Sequence, residues 1–188
     1  EAGAVWDRLL AGLANTQPGA SGAMFLPHIS AAGCPIGDTK SMGAFVGINA
    51  RTRRDDMLRA VIEGLNYQFL HILEVMQKAL NTSFDMVTVT GGVSKNEFWI
   101  QNKADMLGIP VTVSDVKDAS PLGAALLVGL GLKLYADADE AFARVQRSGK
   151  VYQPNQALTQ QYKQNFALYK QIYPALKPVN HALFDRLH

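Results

Sequence analysis

Cysteine is nearly missing from this sequence: Cys34 stands alone among 188 residues. One thiol closes no internal disulfide and builds no multi-thiolate metal centre, so a reducing, cytoplasmic setting is expected. Long apolar runs are missing too. The longest, Leu122 to Leu132, is interrupted by glycines and falls short of the roughly 20 residues that a spanning helix needs. No basic segment precedes an apolar one near the start, so no signal peptide is read. Charge of one sign is not in excess. Eighteen Lys and Arg against sixteen Asp and Glu leave a formal +2, which gives no electrostatic reason for a nucleic-acid or membrane-surface partner. No histidine has a companion at metal-ligand spacing: His28 follows Pro27, His71 falls in a helical stretch, and His181 and His188 lie in the tail. Cys34 sits in a Gly/Pro loop and reads as a bystander thiol. The phosphate-binding pattern G-x-x-x-x-G-K-[ST] does not occur, and Gly129-x-Gly131 lacks the third glycine of a dinucleotide fingerprint.

What is present is a globular composition, 48% hydrophobic and 18% charged, enough for one sizeable domain or one lobe of a larger protein. The opening residues read as the inside of a helix running to Leu13, so a fragment is expected. Ala23–Leu26 and Ala44–Ile48 are strand candidates on either side of a loop. From about Arg53 to Leu80, Met57, Leu58, Val61, Ile62, Leu65, Phe69, Ile72, Leu73, Met76 and Leu80 recur at three- and four-residue steps. That spacing predicts a long helix with one wide buried face, capped at Thr52 and carrying Asp55 and Asp56 against the positive end of its dipole. Beyond it the chain reads strand (86–90), glycine turn, helix (96–107), strand (110–113) and helix (121–132). This is an α/β pattern. Helices are also predicted over 138–146, where Asp137 looks like a cap, and over 157–173. Tyr152, Tyr162, Phe166, Tyr169 and Tyr173 read as packing residues of the tail.

Chemistry concentrates at Thr90-Gly91-Gly92-Val93-Ser94-Lys95-Asn96. Two glycines between a buried strand and a helix let the backbone turn sharply and let a flat or anionic ligand approach without a Cβ in the way. The helix start offers unpaired N–H groups suited to phosphate, and Ser94 and Asn96 add side chains able to read an adenine or ribose edge. The same residues equally suit a plain strand-to-helix turn capped by Ser94 or Asn96. Likewise Gly123-Ala124-Ala125 to Gly129 puts small residues on a helix face, for close packing or for the wall of a nucleotide pocket. No nucleophile–base constellation can be assembled.

Several motifs then fall in one order. Gly43-Ala-Phe-Val-Gly47-Ile48, seven residues, and Asp56-Met57-x-x-Ala60-Val61-Ile62-Glu63 resemble the second signature of the FGGY carbohydrate kinases. The Thr90–Asn96 turn with Lys103-Ala104-Asp105-Met106-Leu107-Gly108-Ile109-Pro110-Val111 is similar to that family's adenine-binding turn and following helix. Ala119-Ser120-Pro121-Leu122-Gly123-Ala124-Ala125 resembles its A-[TS]-x-L-G-A-A segment. Tyr152-Gln153-Pro154-Asn155, Tyr169 and Tyr173-Pro174-Ala175-Leu176 are close to the tail of xylulokinase-like members. The resemblance covers nearly the whole chain.

It implies an actin-like ATPase fold of two ribonuclease-H-like domains, of which residues 1–188 are most of the C-terminal, nucleotide-binding one plus a helical tail. A mixed sheet flanked by helices is therefore expected. It implies ATP and Mg2+ as cofactors, a sugar or polyol (a pentulose such as xylulose, or a related ketose) as substrate, and an N-terminal sugar-binding domain absent from this chain. The catalytic aspartate is expected upstream, so no residue here is assigned a catalytic role and the fragment alone is expected to be inactive. Gly91 and Gly92 bring backbone to the nucleotide, Asn96 lies beside adenine with Ser94 as a further contact, and Gly3 corresponds to a glycine near the phosphates. Val93 replaces the glycine or alanine usual after the glycine pair. Ser30-Ala31-Ala32-Gly33-Cys34-Pro35 stands where Ser-Gly-Glu-Arg-x-Pro is common, which leaves the sugar open. A regulatory domain without catalysis and an actin- or chaperone-type ATPase lobe are the alternatives; a homodimer is left open.

Overall fold

The computed structural model describes residues 8–116, 119–145 and 149–187. A short antiparallel pair opens it: β1 (Met24–Leu26) runs against β2 (Ala44–Val46), with Met24 opposite Val46 and Leu26 opposite Ala44. Both lie where the sequence predicts strands. The long helix α1 (Arg54–Leu80) crosses β1 closely, because Gly64 leaves no side chain to strike the carbonyl of Phe25. Its cap is one residue later than expected. Arg53 is the N-cap, and its backbone N–H donates to Asp56 Oδ2 at 2.9 Å. Thr52 Oγ1 instead accepts from the Asn49 N–H in the preceding turn.

A second unit follows. β3 (Val87–Val89) and β4 (Val111–Ser114) pair in parallel, and β5 (Gly149–Tyr152), which periodicity does not reveal, adds antiparallel to β4 with Val111 opposite Tyr152. Tyr152 is thus a strand residue rather than part of a helical tail. The parallel pair needs a crossover, and α2 (Glu97–Leu107) supplies it. Ile100, Ala104 and Leu107 pack on Val87, Val89, Val111, Val113 and Tyr152. The helices α3 (Ala119–Gly131) and α4 (Ala138–Ala143) pack on each other, with Asp137 capping α4 through a 2.8 Å bond from the Glu140 N–H. On α3 the small-residue stripe packs only in part: Gly129 lies against Tyr135, whereas Gly123 faces open space.

The last helix, α5 (Gln156–Leu187), continues well past the predicted end at Tyr173 and contains Pro174 and Pro178. Its Tyr162, Phe166, Tyr169 and Ile172 form the main core with Leu26, Tyr67 and Met106. From Tyr173 onward the helix is tied to the loop between β1 and β2. Tyr173 donates to Asp38 Oδ2 at 2.7 Å, His181 Nε2 lies 2.7 Å from the same oxygen, Asn180 donates to the Met42 carbonyl, and Lys40 pairs with Asp185. His181 first and Tyr173 second hold the Asp38 carboxyl well below the usual carboxylate range. These contacts offset the backbone hydrogen bonds that proline removes from a helix interior.

The buried face of α1 is only partly the apolar one that periodicity predicts: Ile62 and Leu73 are buried and Met57, Leu58, Val61, Phe69 and Ile72 half-buried. Leu65, Met76 and Leu80 are exposed, while Arg59, Glu63 and Asn66 are buried. Arg59 Nε donates to Glu63 Oε1 at 2.7 Å, Arg59 Nη1 to the Thr16 carbonyl at 2.9 Å, and Arg59 Nη2 to Tyr162 Oη at 2.9 Å. Tyr162 donates to Glu63 Oε1 at 2.8 Å. With side chains only 6% and 2% exposed, the pair has lost its water and depends on these bonds.

Two stability predictions follow from this packing. Arg59→Met strands Glu63 as an uncompensated buried charge and lowers the unfolding free energy by about 3–5 kcal/mol; adding Glu63→Leu recovers part of the loss, as read by urea denaturation. Lys103 is buried over the Phe69 ring, 4.2 Å from its centroid, and desolvation pushes its amine down to about 8. The unfolded chain then holds the proton more tightly. The Lys103 contribution to stability is at its least favourable at all pH values below about 8 and rises between about pH 8 and the ordinary lysine value. Lys103→Met removes that rise and gains about 2–3 kcal/mol at pH 7.

Candidate functional site

β3 is β-branched, pairs with β4, and delivers the chain to the glycine turn. Gly91 has φ 84° and ψ −162°, a region that essentially only glycine occupies. Gly92–Lys95 then form one 3-10 turn, and Asn96 starts α2. Asn96 Oδ1 accepts the Trp99 N–H at 2.8 Å, so Asn96 is the cap. Ser94 Oγ donates back to the Gly91 carbonyl at 2.6 Å. The hydroxyl proton of Ser94 is therefore engaged inside the turn, whereas the Nδ2 amide of Asn96 plays no part in the cap.

The two glycines differ in what they require. Gly91 is explained by its φ. Gly92 does not have a positive φ, and a Cβ built on it meets nothing within 4 Å. Nothing in the turn itself demands glycine there. Both glycines are exposed, and Val93 is 38% exposed beside them. The turn thus presents a backbone surface with no side chain on it, at the N-terminal, positive end of α2, where phosphate and other anions are favoured. Of the residues singled out from sequence, Gly91, Gly92, Ser94 and Asn96 come together here. Gly3 lies outside the described residues.

Sequence reasoning missed what holds this turn in place. Trp99 Nε1 donates to Asn66 Oδ1 at 3.1 Å, Asn66 Nδ2 to Asn102 Oδ1 at 2.8 Å, and Asn102 Nδ2 to Tyr162 Oη at 2.8 Å. Two asparagines at core-facing positions of helices were the available signal, since buried amides need partners. A separate cavity of about 290 Å³ lies between residues 12–21 and the start of α1, lined by Arg51, Arg53, Asp55 and Asp56 among others. None of the turn residues borders it. Among the described residues no cluster of three or more His, Cys, Asp or Glu could hold a metal ion, and no helix is long and apolar enough to cross a membrane.

With this geometry in hand, comparison with known proteins gives a class. Residues 3–132 match the family model described as FGGY family of carbohydrate kinases, C-terminal domain. The chain belongs to that family. Xylulose kinase of Staphylococcus epidermidis (strain ATCC 35984) is 30% identical over 175 residues, covering 92% of this chain and 34% of the relative. Glycerol kinase 2 of Thermotoga maritima is 36% identical over 128 residues, 68% of this chain and 26% of the relative. The crystal structure of a ligand-bound xylulose kinase from Lactobacillus acidophilus superposes with a TM-score of 0.81 at 29% identity, over 90% of this chain and 34% of that one. Plasmodium falciparum glycerol kinase with ADP, at 21% identity and a TM-score of 0.75, shares the fold. The fold is the actin-like ATPase fold, and the chain spans about a third of the length of the curated relatives it matches.

The turn geometry makes a graded prediction for stability. Gly91→Ala forces an L-residue into a glycine-only region and costs about 1–3 kcal/mol, whereas Gly92→Ala stays within about 0.5 kcal/mol of the parent. Asn96→Ala removes the cap and costs about 1 kcal/mol, while Asn96→Asp retains it. Urea denaturation of the four variants checks the order.

Proposed function

We propose that this chain is the nucleotide-binding part of an ATP-dependent carbohydrate kinase, which as a whole protein transfers the γ-phosphate of ATP to a sugar or polyol hydroxyl. A pentulose such as xylulose is the first candidate acceptor, since xylulose kinases are prominent among its relatives. The observation that carries the reading is Gly92. Neither its φ nor any neighbouring atom accounts for a glycine there, and an approaching ligand does. The fold family and an ADP-bound neighbour of the same fold agree with it.

In this reading Gly91 and Gly92 let the backbone lie against the nucleotide, and the N-terminal end of α2 adds its positive dipole. The Asn96 amide, left over from capping, hydrogen-bonds the adenine edge, and Ser94 keeps the turn rigid through Gly91. Bound ATP with Mg2+ supplies the transferable phosphoryl group and the cation that offsets its charge. The carboxylate that takes the acceptor proton and the sugar-binding domain belong to the polypeptide upstream, so these 188 residues bind nucleotide without turning it over. The working compartment is the cytoplasm.

Calorimetric titration of the chain with ADP and Mg2+ tests this. The parent binds. Gly92→Val fills the open space and weakens binding at least about tenfold, or 1.4 kcal/mol, without shifting the urea midpoint. Asn96→Asp keeps the cap and also loses affinity. A parent chain that does not bind ADP, or a Gly92→Val variant that binds as the parent does, overturns the assignment.

A further inference from the structure

The glycine turn is only as well placed as the helix that follows it, and α2 is held at several points along its length by a helix far away in sequence. Beginning at the cap, Asn96 binds the Trp99 N–H, and the Trp99 indole binds Asn66 on α1. Asn66 binds Asn102 one turn further along α2, and Asn102 binds the Tyr162 hydroxyl on α5. Tyr162 ends the relay on the Arg59–Glu63 pair. Near the end of α2, Asp105 Oδ1 accepts the Asn155 N–H at 2.8 Å, and Thr159 Oγ1 donates to the Asp105 carbonyl at 2.7 Å. Asn66, Asn102 and Tyr162 are 1%, 3% and 0% exposed, so these links are shut off from bulk water.

We propose that Tyr162, acting through Asn102, Asn66 and Trp99, is a positioning residue that sets the placement of the Gly91–Asn96 turn. As a consequence for nucleotide affinity, this rests on the reading of the turn given above. The Tyr162 hydroxyl bonds to Asn102, Arg59 and Glu63 rather than to the turn; the residue is 66 positions from Asn96 and outside the stretch matched by the family model. Its ring already packs in the core. What the hydroxyl adds is direction: it accepts from Asn102 and Arg59 and donates to Glu63, which selects one rotation of α2 about its axis among those that would satisfy apolar packing alone. A hydrophobic contact tolerates sliding of a helix by a fraction of an ångström. A buried hydrogen bond does not, because a stretched one leaves a desolvated polar group unpaired.

Two variants break the relay: Tyr162→Phe removes the hydroxyl with little change in volume, and Trp99→Phe removes the indole N–H together with part of the ring. Asp137→Ala serves as the control. It removes the α4 cap, which lies outside the relay, and so lowers stability without touching α2. Amide hydrogen exchange on the ligand-free chain is the first readout, with Trp99 and Ile100 as reporters at the start of α2 and the paired β4 amides as reference. Exchange of the reporters relative to the reference rises about fivefold in both relay variants and stays at the parent level in Asp137→Ala. Titration with ADP and Mg2+ is the second: Kd rises about three- to tenfold in the relay variants and is unmoved in the control. Unchanged reporter exchange in Tyr162→Phe overturns the proposal whatever the titration gives, as does a control that moves the reporters equally. If the parent shows no ADP binding, the nucleotide reading fails while the exchange result still decides whether Tyr162 places the turn.

Discussion

The structure depends on one desolvated interaction, the Arg59–Glu63 ion pair closed by the Tyr162 hydroxyl. Two opposite charges out of water are stable only if every remaining donor and acceptor is matched. Here each partner comes from a different part of the chain: Thr16 from the N-terminal loop, the Gly19 N–H from the turn before β1, Tyr162 from α5, and the pair itself from one turn of α1. The Arg59 guanidinium also lies 5.1 Å from the centroid of the Phe98 ring on α2. Five segments are thus fixed relative to one another by a cluster that tolerates no substitute geometry. Apolar packing around it, chiefly the mutually packed rings of Tyr67, Phe166 and Tyr169, supplies area but much less direction.

That division explains what could be read from the sequence. The elements β1 to β4, α2 and the extent of α1 follow from β-branched runs, glycine stops and three- and four-residue spacing. The α4 cap at Asp137 is a local hydrogen bond and was equally legible. The orientation of α1 was legible only in part: Ile62 and Leu73 are buried as their spacing predicts, but a hydropathy pattern also ranks Leu65, Met76 and Leu80 above Arg59, Glu63 and Asn66 as core residues, and the structure reverses them. Burial of those polar residues is rewarded only by partners far along the chain. The same limit hid β5: Gly149–Tyr152 has no alternation of its own and becomes a strand by pairing with β4. The end of α5 was misplaced at Tyr173 because the contacts that carry the helix further lie on the loop around Asp38.

The candidate site divides along the same line. Its glycines and its cap were visible as a local motif, and the structure separates their roles. Gly91 is required by backbone conformation, Asn96 by the helix start, and Ser94 by the turn's own hydrogen bond. Gly92 alone is left without a structural reason. A motif seen only as a string would have treated all four as equal evidence for a ligand. Three of them are accounted for by folding.

A turn that meets a ligand with backbone rather than side chains has few ways to adjust to it. Side chains can change rotamer, whereas a backbone surface is placed correctly only if the helix behind it is. This makes the polar relay from α2 to α5 a natural companion of the glycine turn. The less the contact surface can adapt, the more the site depends on preorganisation from beneath. The tail helix then has a reason to be retained with the lobe although it lies far from the turn in sequence. Its Thr159 and Tyr162 hydrogen-bond Asp105 and Asn102 of α2, which on the proposal above sets where α2 lies, and its Tyr173 and His181 secure the loop between β1 and β2 through Asp38. One helix therefore contacts both α2 and the β1–β2 loop, and between those contacts its Tyr162 joins the Arg59–Glu63 cluster.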